Sequence, residues 1–483
     1  MKQISTGVHG LDMLMAGGLP EGHMYLIRGE PGTGKTTMAL QFLTEGARDG
    51  ERGLCCTLSQ TADELRLIAS SYGMDLANID VQDADKLLNQ PNAARQTVVN
   101  TAELELRQVL DHLKDRLEQV KPARVVVDSL IDLRLRSADV LAYRRLIREL
   151  MDLLVSHRTT AVFLDSTPEF GGDSQISGLV HGVVTLQRAL PGYGMAQRRL
   201  EINKLRGVPH AEGLHDFTIT PAGVRVFPRL SSKLDQAPPS LETVKTGMSG
   251  LDEMTCGGIQ QGTSVMIYGQ TGVGKSTLAA ALLKGGLERG EEAAAFLFEE
   301  HPKTFLTRAD ALGRELSSAD ASGKLHTYDL RAGEVLPGEF VHTVLDAAER
   351  KQVKTVVIDS VNGYLTASAL KDHALAQLNT LIATLRTRQV VTVLVVEQPG
   401  LLAQIGQTLD ISILSDCLIL LRQYEARSTI RRSIAVMKMR TGPHLTEMRE
   451  LIMEPGRLEV QAISDDDFKV MKDLHLMSSR APV

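Results

Sequence analysis

The chain has 483 residues, 43% hydrophobic and 23% charged, with a formal net charge of −6 and a pI near 6.1. That length allows roughly two to four domains, and the mildly acidic balance disfavours a nucleic-acid binder working through bulk positive charge. Four cysteines, Cys55, Cys56, Cys256 and Cys417, have neither metal-ligand spacing nor the pattern of a disulfide framework. With no apolar leader and no run of membrane-spanning length, a soluble cytoplasmic protein is expected.

The chain repeats itself. Thr6-Gly-Val-His-Gly10-Leu11-Asp12 recurs as Thr246-Gly-Met-Ser-Gly250-Leu251-Asp252, and Gly17-Gly18-Leu-Pro-Glu-Gly22 recurs as Gly257-Gly258-Ile-Gln-Gln-Gly262. Gly73 has its counterpart at Gly313, so one offset holds from the opening motif onward. Repetition at fixed spacing is the mark of a duplicated unit. Tyr25-Leu-Ile-Arg reads as a short strand running into a Gly-rich loop, with a helix over Thr37–Ala47 after it. Cys55 and Cys56 fall in an apolar run and read as buried strand residues.

Val125–Val127 and Val356–Ile358 are continuous apolar runs, expected of strands covered on both faces in a parallel sheet. The fold class is therefore α/β, two tandem P-loop domains, each a mainly parallel sheet flanked by helices. A Pro-containing stretch, Ser231–Ser240, reads as a linker. The expected division is residues 1–235, residues 236–463, and a C-terminal tail over 464–483.

Two Walker A motifs carry the chemistry: Gly29-Glu-Pro-Gly32-Thr33-Gly34-Lys35-Thr36 and Gly269-Gln-Thr271-Gly272-Val273-Gly274-Lys275-Ser276. Their glycines let backbone N–H groups close around phosphate oxygens, and the helix that follows points its positive end there. Lys35 and Lys275 are expected at the β- and γ-phosphates of ATP, with Thr37 and Thr277 completing the nucleotide-binding set. Thr36 and Ser276 are expected on Mg²⁺ with Asp128 and Asp359, which end apolar strands; each aspartate would act directly or through water, or would merely cap the next turn.

The copies diverge at the next strand. Ala295-Phe-Leu-Phe298 runs into Glu299-Glu300, where a carboxylate can orient or deprotonate water, unless the pair is only a solvated turn. The first copy has Ser59-Gln60 at these positions, and neither is a useful base, so weak hydrolysis is expected there. Late in each copy stand Lys204-Leu205-Arg206 with His210, and Lys438-Met439-Arg440 with His444. Alternation along a strand puts both basic residues of a pair on one face. They read as a phosphate-binding finger given across a subunit interface, or as solvated edge residues; Arg440 and Lys438 join Lys275, Glu299 and Glu300 as catalytic candidates.

These motifs together resemble the KaiC family, ATPases and autokinases of the cyanobacterial clock within the RecA/DnaB superfamily. The likeness spans nearly the whole chain and includes Arg198-Arg-Leu-Glu-Ile-Asn-Lys-Leu-Arg-Gly207. It implies a double-ring homohexamer with ATP and Mg²⁺ at subunit interfaces, slow hydrolysis, and Ser/Thr self-phosphorylation in the second ring. It further implies protein partners of KaiB-like or signalling type. Ser59 and Gln60 depart from the family's first-ring glutamates. Asp410-Ile-Ser412-Ile413-Leu-Ser415-Asp416 resembles the family's phosphorylated strand, with Ser412 at the first acceptor position, Ile413 unable to accept at the second, and Ser415 as a competitor turned to the other face. A two-site oscillator is thus not expected. Two other classes stay open: a RecA- or RadA-like DNA-dependent ATPase, for which the chain lacks aromatic-and-basic loops, and a nucleotide-binding scaffold without turnover.

Overall fold

The computed structural model describes residues 2–84, 86, 101–166, 174–191, 194–230, 242–366, 368–398, 411–426 and 429–463. The linker at Ser231–Ser240, the tail beyond residue 463 and Asp410 lie outside the described residues. Contacts divide the chain into two compact units, one within Met1–Leu190 and Ala196–Arg229, the other within Pro191–Met195 and Leu230–Val483.

The sheet of the first unit contains β1 (Met24–Gly29), β2 (Gly53–Thr57), β3 (Ile79–Asp83), β4 (Arg124–Asp128), β5 (Thr160–Asp165), β6 (Gly182–Ala189), β7 (Gln197–Leu205), β8 (His215–Thr220) and β9 (Gly223–Phe227). Their order in space is β3-β2-β4-β5-β1-β6-β7-β8-β9, with six parallel strands followed by an antiparallel edge.

The second unit has β10 (Ser264–Gly269), β11 (Glu292–Leu297), β12 (Leu325–Asp329), β13 (Val353–Asp359), β14 (Val391–Glu397), β15 (Cys417–Ala426), β16 (Thr429–Met439), β17 (Arg449–Glu454) and β18 (Arg457–Ala462). Its order, β12-β11-β13-β14-β10-β15-β16-β17-β18, is the same permutation. The duplication seen in the motifs is therefore a duplication of topology.

The apolar runs do what a two-sided strand must. Val126 packs into the cluster on one face of the first sheet while Val125 and Val127 pack into the cluster on the other. Val357 divides in the same way from Val356 and Ile358 in the second. Successive side chains of a strand point to opposite faces, so such a run needs helices on both sides. The P-loop helices α1 (Lys35–Arg48) and α4 (Lys275–Glu288) supply part of that cover, α1 starting two residues before the expected helix.

The opening motif is a clamp. Asp12 Oδ1 accepts from Thr6 N at 2.9 Å and Thr6 Oγ1 at 2.6 Å, and Asp252 Oδ1 accepts from Thr246 N and Oγ1 at 2.8 Å each. The motif's second glycine is explained by crowding. A Cβ at Gly10 would lie 2.2 Å from Val226 O, and one at Gly250 would lie 2.1 Å from Val460 O. Thr-Gly-x-x-Gly-Leu-Asp thus pins the start of each unit against its last strand.

Two candidate nucleotide sites

Each Walker A loop joins the carboxyl end of a central strand, β1 or β10, to its helix, between parallel neighbours on both sides. That is where open α/β sheets form ligand crevices. Gly34 and Gly274, the N-caps of α1 and α4, have φ of 106° and 103°, and a Cβ at either would strike Ile219 Cδ1 at 2.8 Å or Met453 Sδ at 2.5 Å. Gly32 and Gly272 also have positive φ, 76° in both, and face open space. Gly29 and Gly269 lie close under the backbone carbonyls of Leu186 and Leu421. Thr33 and Val273 are fully buried; Thr33 Oγ1 donates to Glu30 O at 2.8 Å and holds the loop closed. Thr37 and Thr277 are buried in the first helical turn, and Thr271 sits in the loop itself.

Both lysines fold back over their loops. Lys35 Nζ donates to Gly29 O at 2.7 Å and Glu30 O at 3.0 Å, and Lys275 Nζ donates to Gln270 O at 2.8 Å. Burial lowers both pKa values; Asp128 and Asp165 oppose this at Lys35, as Glu397, Asp359 and Glu299 do at Lys275. These ammonium groups have only carbonyl partners, and a phosphate would be a better one.

Thr36 Oγ1 donates to Asp128 Oδ2 at 3.0 Å, and Ser276 hydrogen-bonds Asp359 in the same way. Each aspartate closes its strand, and the peptide bond after each is cis. Burial raises the Asp128 carboxyl above its ordinary range, with Thr36 and Lys35 opposing. Burial likewise pushes Asp359 up to about 6, against the Ser276 hydroxyl and Arg308, while Glu299 and Glu300 add to the rise. A desolvated carboxylate beside a hydroxyl is a hard, all-oxygen donor set, which suits Mg²⁺. Among the described residues no group of three His, Cys, Asp or Glu could hold a metal alone, so phosphate oxygens would have to complete the shell.

Glu299 and Glu300 follow β11 and part company. Glu299 accepts from Ser360 Oγ at 2.5 Å, next to Asp359, and faces Lys275 electrostatically. Glu300 is paired with Arg308, on α5 (Pro302–Ala311), through contacts of 2.9 and 2.7 Å. Of the two, Glu299 is the carboxylate turned toward the aspartate. In the first unit Ser59 Oγ lies 3.5 Å from Asp128 Oδ1, and Gln60 is tied through its backbone to Thr57 Oγ1.

Reasoning from motifs missed Glu397, the foremost acidic influence on Lys275. It ends the apolar run Val391–Val396 in the same pattern that singled out Asp359, and was legible there. Asp165 at the end of β5 plays a similar part for Lys35.

The basic pairs lie elsewhere. Leu205 pairs with Gly182, which pairs with Tyr25 near the start of β1, four residues before Gly29. Met439 pairs with Cys417, which pairs with Val265, four residues before Gly269. At about 3.3 Å per residue each pair sits about 13 Å from its own loop along the sheet. Lys204 Nζ donates to the carbonyls of Ser177 and Val180 at 2.7 Å, and Arg206 Nη2 to Gly178 O at 2.9 Å, so both residues do share a side. Lys438 Nζ donates to Ser415 O at 2.9 Å. Leu205 is buried and Met439 packs on the core, while His210 and His444 lie in the loops that follow.

The placing of Ser415 on the opposite face from Ser412 requires a correction. Ile411–Leu414 is a 3-10 turn, and β15 begins only at Cys417. The two-residue alternation invoked to turn Ser415 away from Ser412 does not apply in such a turn. Ser415 is buried, and Asp416 accepts from Ser264 N at 3.1 Å, Ser264 Oγ at 2.9 Å and Arg386. Asp416 therefore anchors the start of the strand.

The family model for the KaiC ATPase matches residues 4–231 and again 244–465. The chain is 26% identical to circadian clock protein KaiC3 of Synechocystis sp., over 94% of this chain and 90% of that protein. It is 28% identical to the circadian clock oscillator protein KaiC of Parathermosynechococcus lividus (94% and 85% covered) and 27% identical to that of Synechococcus elongatus (93% and 87%).

The raised Asp359 gives a pH-dependent stability. Its folded-state pKa exceeds the unfolded value, so the fold gains from its protonated form at low pH and loses that gain as pH rises through about 6. With nucleotide and Mg²⁺ removed, Asp359→Asn should raise the thermal midpoint at pH 7.5, and the difference should shrink toward pH 4. An equal difference at both pH values, by calorimetry, would show that the carboxyl's ionisation is not the cause.

Proposed function

Because the chain belongs to the KaiC ATPase family, we propose that it is a tandem ATPase assembling as a double-ring hexamer and hydrolysing ATP mainly in its second unit. The observation that carries the hydrolytic assignment is Glu299, held by Ser360 Oγ beside Asp359 and Lys275. In this reading the N–H groups of the Walker A loop and Lys275 bind the phosphates, and Ser276 and Asp359 hold Mg²⁺. The metal would neutralise charge on the phosphate oxygens when bound. Glu299 orients water and takes its proton, while Glu300 fixes Arg308 at the rim. Removing a positioned base costs about 10²–10⁴-fold in rate. With the first site silenced by Lys35→Ala, Glu299→Gln should lower steady-state phosphate release by about that factor with little change in ATP binding at the second site, whereas a fall below threefold would remove Glu299 from this role.

The position of the basic pairs supports the hexamer. Lys204, Arg206, Lys438 and Arg440 lie at the end of the sheet opposite their own loops, and in this reading they meet a nucleotide bound by the next subunit. Arginine given in trans is a common way to stabilise phosphoryl transfer. Mixing Arg440→Ala with Lys275→Ala subunits should recover activity, because some interfaces then combine an intact loop with an intact arginine. Mixtures no more active than either parent would show that Arg440 acts in cis or only structurally.

Water is the principal acceptor in this reading. Ser412, in the turn just ahead of β15, is the protein acceptor assigned to the second site. Incorporation from γ-labelled ATP should disappear in Ser412→Ala, and label that survives this change would remove the assignment.

A further inference from the structure

The first site has a carboxylate in an unexpected place. In the second unit the hydroxyl that follows the strand-ending aspartate, Ser360 Oγ, donates to Glu299 Oε1 at 2.5 Å. The same hydroxyl in the first unit, Ser129 Oγ, donates to Asp132 Oδ2, also at 2.5 Å. Asp132 lies in α2 (Leu130–Leu135), whose counterpart is α6 (Val361–Thr366). Three residues after Ser360 the second unit has Gly363 where the first has Asp132.

Position 363 and Glu299 are neighbours. A Cβ at Gly363 would come 3.4 Å from Glu299 Oε1, an ordinary contact, while the close approach, 2.8 Å, is to Phe298 Cβ, so a carboxylate grown from position 363 would stand beside the one Glu299 supplies. The first unit has the reverse combination, small Ser59 at the strand end and a carboxylate on the helix. Each serine hydroxyl meets one carboxylate, and the two units deliver it from different elements. The electrostatics agree: Asp132 helps to raise Asp128 as Glu299 helps to raise Asp359.

A serine at a helix N-cap followed three residues later by an acid is also a common local arrangement, in which the serine oxygen accepts a backbone N–H. Ser129 makes no such side-chain cap bond, and its hydroxyl is spent on Asp132 instead.

We infer that Asp132 is the water-activating carboxylate of the first site, in the role Glu299 has at the second. The inference rests on the assignment of Glu299 above. Water oxygen bonds to the γ-phosphorus, the bond from that phosphorus to the β-phosphate bridging oxygen breaks, and its electron pair leaves with ADP. The water proton passes to the Asp132 carboxylate and then to solvent. The first unit is then a working ATPase whose base is one methylene shorter and approaches from a helix.

The test uses the full-length protein carrying Glu299→Gln and Glu300→Gln, with phosphate release measured in ATP and Mg²⁺. Turnover should persist in this background and be abolished by Lys35→Ala, which assigns it to the first site. Adding Asp132→Asn should lower it at least tenfold while binding of a fluorescent ATP analogue is unchanged. Exchanging the pair, Ser59→Glu with Asp132→Gly, should restore it and guards against a folding defect. Residual turnover indifferent to Asp132→Asn, or none at all in the double-glutamine background, would overturn the inference. Turnover undiminished by the double-glutamine change would instead sink the Glu299 assignment, and Asp132→Asn would still report on the first site.

Discussion

Each unit is organised around a carboxylate buried at the end of a parallel strand. Asp128 and Asp359 are 5% and 8% exposed, and burial raises both. A charge taken out of water needs compensation close by. Here a hydroxyl from the first turn of the P-loop helix and a half-desolvated lysine supply it without ligand. Both would find stronger partners in a metal-bound triphosphate. The central position of β1 and β10, the left-handed glycine caps and the flanking helices all serve to hold that carboxylate against the hydroxyl and within the electrostatic reach of the ammonium. The fold thus stores a local electrostatic deficit that a ligand can relieve.

Much of this was legible in the sequence because the relevant signals are local. The glycines of the two loops are demanded by backbone angles and close approach, and the apolar runs ending at Asp128 and Asp359 by burial on two faces. The matching permutation of the strands follows from the repeated motifs. Less local features were hidden. Glu397 ends a strand as visibly as Asp359, but only the sheet order places β14 next to β10. Asp132 looks like an ordinary acid in a helical first turn, and its meaning depends on Gly363 and Ser59, far apart in sequence. The relation of Ser412 to Ser415 was hidden for a different reason: strand alternation was assumed ahead of Cys417, where the chain takes a 3-10 turn over Ile411–Leu414.

The two units differ in which element carries the carboxylate beside the serine that follows the buried aspartate. The second unit has glutamate at the strand end and glycine at 363, and the first has serine at the strand end and aspartate at 132 on the helix. The serine after each aspartate is the fixed point, since its hydroxyl meets whichever carboxylate is present.

The separation of the basic pairs from the loops of their own sheets gives each unit a direction. A surface that offers cations at one end and accepts phosphate at the other is not self-complementary, so a twofold dimer built on it would leave half of its groups unmatched. In the proposed assembly, association through these ends would be heterologous and would terminate only by closing into a ring. In such a ring a subunit's own arginine never serves its own ATP. A chain defective in Arg440 would poison the neighbour it faces while its own P-loop stayed serviceable, so damage would travel around the assembly in one sense only.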